Sequence, residues 1–253
     1  MIVFLMYQTH KTFVTPNMKM WDLISENSRI LLLLEHFDID FRVGERSVGQ
    51  LCMDYDIPVP LFVSVANLYN GFQPGRGELP DVVDIPRIIG FLTNSHRYYK
   101  LDKYPEIMGY ISLLLERTGD ERVKLVEDFF RSYFDEVVEH LDYEDTVAFP
   151  YFLSLAGEAA TGFIAGGYEG FVKGRDFSAR EYNLHHTDIE TKLSDLKSLL
   201  VKYIPLQGEL PLRRKLLFAL QELEYDLLIH ASIEETMLLP LAGKIEKEWK
   251  SVK

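Results

Sequence analysis

Thiols are nearly absent: Cys52 is the one cysteine in 253 residues. That excludes an internal disulfide and an iron–sulfur cluster held by this chain's own cysteines, and it suits a reducing compartment. Positive charge is scarce as well. Lys plus Arg number 27 against 39 Asp plus Glu, a formal charge of −12, which sets the chain against nucleic acid and anionic membrane surfaces. Long apolar runs are missing; a run such as 30–34 falls far short of a bilayer span. Residues 1–7 are apolar but have neither a basic lead nor a small-residue cleavage site, so no targeting segment is expected. The expectation is a cytoplasmic protein with neither nucleic-acid nor membrane partners.

What the chain does have is material for a core. Apolar residues make up 47% and include 16 Phe and 14 Tyr, which excludes a mostly disordered chain. Glycine and proline are concentrated in two places. The stretch 70–80 is dense enough in both to stop a helix and separates a small N-terminal unit, 1–80, from the remainder, 81–253. The stretch 157–174 carries further glycines at 162, 166, 167 and 170 and reads as a flexible connection. It lacks the Gly-Lys-Ser/Thr ending of a phosphate-binding loop.

Elsewhere the apolar spacing is helical. Asp84-Ile85-Pro86 reads as a helix start, with a carboxylate cap and proline in the first turn. From there Ile85, Ile89, Leu92, His96 and Tyr99 step by threes and fours, and Pro105 interrupts the helix beyond. A second stripe is Val123, Val126, Phe130, Tyr133, Val137, His140, Glu144 and Val147. A third is Tyr182, His186, Ile189, Leu193, Leu196 and Leu200, and a fourth is Leu216, Leu220, Leu223, Leu227, His230, Glu234, Met237 and Leu241. Four such stripes predict an all-α chain whose larger part is an antiparallel four-helix bundle.

The stripes contain residues that a dry seam should not: His96, His140, Glu144, His186, His230 and Glu234. Facing a core, an imidazole or carboxylate is costly unless it is paired or binds a metal. The spacing repeats. Positions 96 and 140, like 186 and 230, are 44 residues apart, and both second members continue alike. The copies are His140-x-x-x-Glu144-x-x-x-x-Phe149-Pro150 and His230-x-x-x-Glu234-x-x-x-x-Leu239-Pro240. Two hairpins, each offering two histidines and a glutamate, imply a pseudo-two-fold site for two metal ions. Imidazole and carboxylate without thiolate suit iron, manganese or zinc. Two octahedral ions need about twelve ligand positions, so these six side chains would leave some open for a small molecule.

Neighbouring residues read differently. Asp145 and Glu235, one past each seam glutamate, should point away from the core, and His185 should lie outside the ligand set. Glu190, one turn beyond His186, could reach the site through water or as a seventh ligand. Tyr99, Tyr133 and Tyr182 read as core packing that could also donate to a bound oxygen species. His10 and His36 read as ordinary histidines, and Cys52 as a buried packing residue.

The paired His-x-x-x-Glu motifs, each with an earlier histidine, resemble the hemerythrin-like di-iron domain. More specifically they resemble the iron–sulfur cluster repair proteins, also called repair-of-iron-centres (RIC) proteins. The likeness covers about residues 84–246. It implies that His96, His140, His186 and His230 hold two iron ions, ahead of manganese or zinc, with Glu144 and Glu234 bridging them. It further implies a small helical N-terminal domain, similar here over Trp21–Ile24, Leu33–Phe41 and Ser47–Cys52, and self-association into a homodimer through it. Where relatives place two cysteines after that aromatic residue, this chain has Arg42 and Val43 after Phe41. The resemblance implies nitric oxide or dioxygen as the diatomic ligand and damaged iron–sulfur proteins as partners, in repair of iron centres or in nitrosative and oxidative stress defence. An oxygen or redox sensor without turnover, and a di-iron oxidoreductase, are the alternatives.

Overall fold

A computed structural model of the chain describes residues 11–73, 80–160, 178–179, 182, 189–203 and 208–252. Among these the fold is all-α: there is no strand, only an isolated antiparallel bridge between Lys19 and Ser47. The helices are α1 Met20–Glu26, α2 Ile30–His36, α3 Val48–Asp54, α4 Val59–Tyr69, α5 Ile85–Tyr98 and α6 Tyr104–Thr118. They continue with α7 Glu121–Tyr143, α8 Phe149–Ala160, α9 Ile189–Ser198, α10 Leu210–Ile233 and α11 Leu239–Val252. No helix among the described residues is long and apolar enough to cross a membrane. The second predicted connector, 157–174, lies almost wholly outside the described residues.

The chain divides into two compact units, 1–94 with 232–241, and 95–231 with 242–253. In the first, α2 and α3 each pack on α4, and α1 on α2. Ser47 starts α3 with a capping box: its hydroxyl accepts from the Gln50 amide, and the Gln50 side chain accepts from the Ser47 amide. An aromatic cluster of Phe37, Phe62 and Phe91 fills the interior, with the His36 ring edge-on to Phe91. Asn67 holds the extended segment before α1 as a neighbouring strand would, accepting from the Val14 amide at 2.8 Å and donating to its carbonyl at 3.1 Å. After α4, Gly71 turns the chain in the left-handed region (φ 78°), where the glycine-rich connector was expected to begin. Cys52 is fully buried, and burial pushes its thiol up to about 12, so it packs rather than reacts.

The start of α5 differs in detail from expectation. Asp81, not Asp84, is the cap: Asp81 and Asp84 exchange side-chain-to-backbone hydrogen bonds around a 3-10 turn at Val82–Asp84, and Pro86 then falls in the first turn of α5. A carboxylate three residues further back can satisfy the same free amides.

In the second unit α6 packs on α7 and α7 on α9. Gly119, left-handed at φ 59°, ends α6, and the Asp120 side chain caps α7 by accepting from the Arg122 amide. Tyr104 of α6 stacks on Phe134 of α7 at 3.9 Å between ring centres and also on Phe130 at 5.7 Å.

Among the described residues four π-turns interrupt the helical runs, at Tyr99–Lys103, Glu144–Ala148, Leu199–Tyr203 and Glu234–Leu238. Each ends two residues before a proline of the sequence: Pro105, Pro150, Pro205 and Pro240. Proline cannot donate to the carbonyl four residues back and its ring crowds that group. One wider turn relieves the clash without ending the helix. Pro105 interrupts the helix that carries His96, as the sequence reading expected, by a wider turn rather than a stop: α5 runs through the π-turn into α6.

Candidate metal centre

His96 lies near the end of α5, His140 in the last turn of α7, Glu144 at the first position of the following π-turn, and His230 in the last turn of α10. His96, Glu144 and His230 form a buried group that could hold a metal ion, with one donor atom from each lying within 4.8 Å of the others. His96 Nε2 is 3.2 Å from Glu144 Oε2 and 3.4 Å from His230 Nε2, and His230 Nε2 is 3.8 Å from the same oxygen. Two ligands each about 2.1 Å from one ion stand roughly 3.0–3.4 Å apart between right-angled and tetrahedral coordination. The triangle is near that size.

Glu144 is divided between two sets of partners. Its Oε1 lies 2.8 Å from His140 Nε2 and accepts from the Tyr182 hydroxyl at 2.5 Å. Its Oε2 is buried yet makes no hydrogen bond. A buried carboxylate oxygen left in that condition costs on the order of 1–3 kcal/mol or more, and a cation would remove the cost. The donor set of nitrogen and carboxylate oxygen fits a borderline metal such as iron or zinc.

The His96 tautomer fits as well. Its Nδ1 lies 2.8 Å from Asp145 Oδ1, and Asp145 in turn accepts from Lys100 at 3.1 Å. A carboxylate can only accept, so Nδ1 carries a proton, and in the neutral imidazole Nε2 is then the nitrogen free to bind a cation at the centre. Asp145 was expected to face away from the core, and this is corrected: the π-turn that begins at Glu144 advances each residue by less than an α-helix does, so Glu144 and Asp145 both reach the α5 side. Glu235, by contrast, is exposed as expected. Phe149, the first residue of α8, stacks on the His96 ring at 5.4 Å and shields it from water. Asp145→Asn is expected to weaken metal affinity by about 10- to 100-fold, the usual effect of losing an outer carboxylate. A competition titration with a chelator measures it, and unchanged affinity would remove the orienting role.

Burial opposes ionisation of Glu144, but the surrounding imidazoles, His140 first and then His230 and His96, outweigh it and hold its carboxyl well below the ordinary 4.5. A carboxyl depressed in the fold stabilises it above the unfolded value and loses that contribution as pH falls. The melting temperature of metal-free protein should therefore drop below pH 4.5 more steeply in the parent than in Glu144→Gln. Equal slopes would contradict the electrostatic assignment.

The other predicted ligands stand as follows. Glu234 is fully buried at the start of its own π-turn, within the residues that cluster with the first unit. His186 lies outside the described residues, as do His185, His10 and the side chain of Glu190. Tyr99 and Tyr133 are buried. The Tyr99 hydroxyl donates to Asp226 at 2.8 Å, and Ser95 Oγ lies 2.8 Å from His230 Nδ1. Burial, then the Asp226 charge, push the Tyr99 hydroxyl well up, with a Ser95 hydrogen bond opposing them. Sequence reading missed Ser95 and Asp226. The signal for Asp226 was its place one turn before His230, a carboxylate among leucines; Ser95 offered none beyond adjacency to His96.

No family model matches the chain, and neither a curated protein nor a solved structure matches it.

Proposed function

We propose that this chain is a hemerythrin-like protein that holds two iron ions in an antiparallel four-helix bundle and binds nitric oxide or dioxygen. Its service would be the repair of iron–sulfur centres, or defence against nitrosative and oxidative stress. The observation that carries the reading is the convergence of His96, His230 and Glu144 Oε2 in a buried place, with that oxygen making no hydrogen bond. Two histidines and one carboxylate also suit a single iron or zinc ion. What favours two ions is His140 on the other oxygen of Glu144, which puts imidazole on both sides of one carboxylate. His186 and Glu234 enter on the sequence repeat alone.

When bound, the irons would supply open coordination positions for a diatomic ligand and electrons for its chemistry. The chain's own residues do the rest. Glu144 brings negative charge into a water-poor interior, Asp145 keeps the His96 proton on Nδ1, and Phe149 covers the imidazole face. The acidic surface leaves small neutral ligands unaffected and disfavours nucleic acid.

Anaerobic reconstitution with ferrous iron, elemental analysis and titration with nitric oxide test the proposal. Two irons per chain and an iron spectrum altered by nitric oxide are expected. One tightly held zinc per chain, or an unaltered spectrum, would overturn it.

A further inference from the structure

We propose that the first unit carries a peptide-binding groove at the ends of α1 and α4, closed by the chain's own segment 11–15. Its outside ligand is an extended segment of a partner protein with Ser or Thr, an aromatic residue and Val in succession. The metal centre plays no part in it.

The resident segment displays how the groove reads a chain. Thr12 and Val14 offer amide and carbonyl along one edge, as alternate residues of a strand do, and side chains meet all of these groups. The Thr12 amide donates to Glu26, and the Thr12 carbonyl accepts from Asn70 at 2.9 Å. The Val14 amide donates to Asn67 at 2.8 Å, and the Val14 carbonyl accepts from the same side chain at 3.1 Å. Main-chain bonds of this kind hold any extended sequence, and side-chain contacts then select among sequences. The Thr12 hydroxyl donates to the second oxygen of Glu26 at 2.9 Å, the Phe13 ring meets Phe72 edge-on at 5.3 Å, and Val14 is fully buried. Lys11 adds a contact to the Tyr69 carbonyl at 3.3 Å.

The reading groups are oriented by the unit itself. Asn67 also donates to the Val63 carbonyl at 2.9 Å, while Asn27 donates to Asn70 at 2.9 Å and to the Tyr69 carbonyl at 2.8 Å. Little ordering is therefore left for binding to do. Asparagine is seldom buried, yet Asn27, Asn67 and Asn70 all are, and amides so placed need a backbone to bond. The link from the segment to α1 is pinned. The Gly49 amide donates to the Pro16 carbonyl at 2.8 Å, that of Val48 to Met18 at 2.8 Å, and that of Met20 to Arg46 at 3.0 Å. A Cβ at Gly49 would stand 3.3 Å from the Pro16 oxygen, so the link lies hard against α3. Exchange of the segment between two copies needs a free hinge, which this link does not offer. A foreign strand needs only 11–15 to lift away. Tethering gives the resident segment a high effective concentration, so a partner must compete with it.

A fluorescein-labelled peptide of residues 11–17 is the probe, with full-length protein throughout. The parent should bind it weakly, because its groove is filled. Val14→Asp places a charge that the buried position rejects; it should free the groove and bind the probe at least about 10-fold more tightly in fluorescence anisotropy. Adding Asn67→Leu should cancel that gain, about 10-fold for the bonds lost to Val14. The probe methylated on its valine amide nitrogen should also bind about 10-fold more weakly, although every side chain is kept. In the parent, millimolar unlabelled peptide should speed hydrogen exchange of the Val14 amide at least about twofold and leave the Leu33 and Phe62 amides unchanged.

Equal affinity in the parent and Val14→Asp, undiminished binding of the methylated probe, or Val14 exchange untouched by peptide would each overturn the proposal. The exchange measurement needs no variant and decides alone where Val14→Asp fails to fold. A parent that elutes as a dimer, with Val14 protected only in that dimer, would give the groove to a second copy and overturn the partner reading.

Discussion

Glu144→Gln is expected to weaken metal binding by more than about 100-fold, beyond the range typical of an outer-sphere partner. The substitution keeps the size of the side chain but removes the charge that both groups of imidazoles face. Glutamine can place only one carbonyl oxygen, so it cannot serve His140 on one side and the His96–His230 pair on the other. If the carboxylate joins two ions, both should leave together, and metal content should fall from two per chain to none or one weakly held. Inductively coupled plasma analysis after gel filtration measures this. Retention of two ions per chain would exclude the bridging role. The variant should also lose stability, because the buried imidazoles lose the carboxylate they face, so metal content is compared on the folded fraction that elutes from gel filtration.

Phe130→Ala is expected to destabilise the metal-free protein by about 3–5 kcal/mol, the cost of emptying a large aromatic from a closed interior. Phe130 is fully buried and stacks with Tyr104 across the α6–α7 hairpin. It lies on the helix that delivers His140 and Glu144, so the damage should be felt at the site. Metal that binds only the folded form restores stability by mass action, about 4 kcal/mol at a thousandfold excess over the dissociation constant. Chemical denaturation with and without ferrous iron should show most of the loss recovered. A loss unaffected by metal would separate the stability of this hairpin from the centre.

The stripes of threes and fours were legible up to each glutamate and slipped just beyond it. Val123, Val126, Phe130, Tyr133 and Val137 are buried as the spacing requires, and so are Leu216, Leu220, Leu223 and Leu227. Past Glu144 the buried position is Ala148, not Val147; past Glu234, Met237 is still buried as the stripe requires, and the shift comes one turn later, from Leu241 to Ala242. One extra residue per wide turn accounts for both shifts and for Asp145 swinging inward. The prolines two residues beyond each π-turn were visible in the sequence, but proline more often signals an end than an enlarged turn, so helical phase was carried through unchanged. The outer contacts were not legible for another reason. Ser95 and Tyr99 meet His230 and Asp226 across two helices far apart in sequence, and no periodicity within one helix encodes that meeting. Charge balance, the poverty of thiols and the His-x-x-x-Glu repeat, being local or compositional, could be read directly.

The sealed position of Cys52 makes the molecule a convenient background for site-directed labelling. Its thiol, raised to about 12 and shut off from solvent, should ignore maleimide reagents at neutral pH. A cysteine introduced at an exposed position would then carry the sole spin label or fluorophore, and a pair of such labels would serve as a molecular ruler with no native residue to remove first.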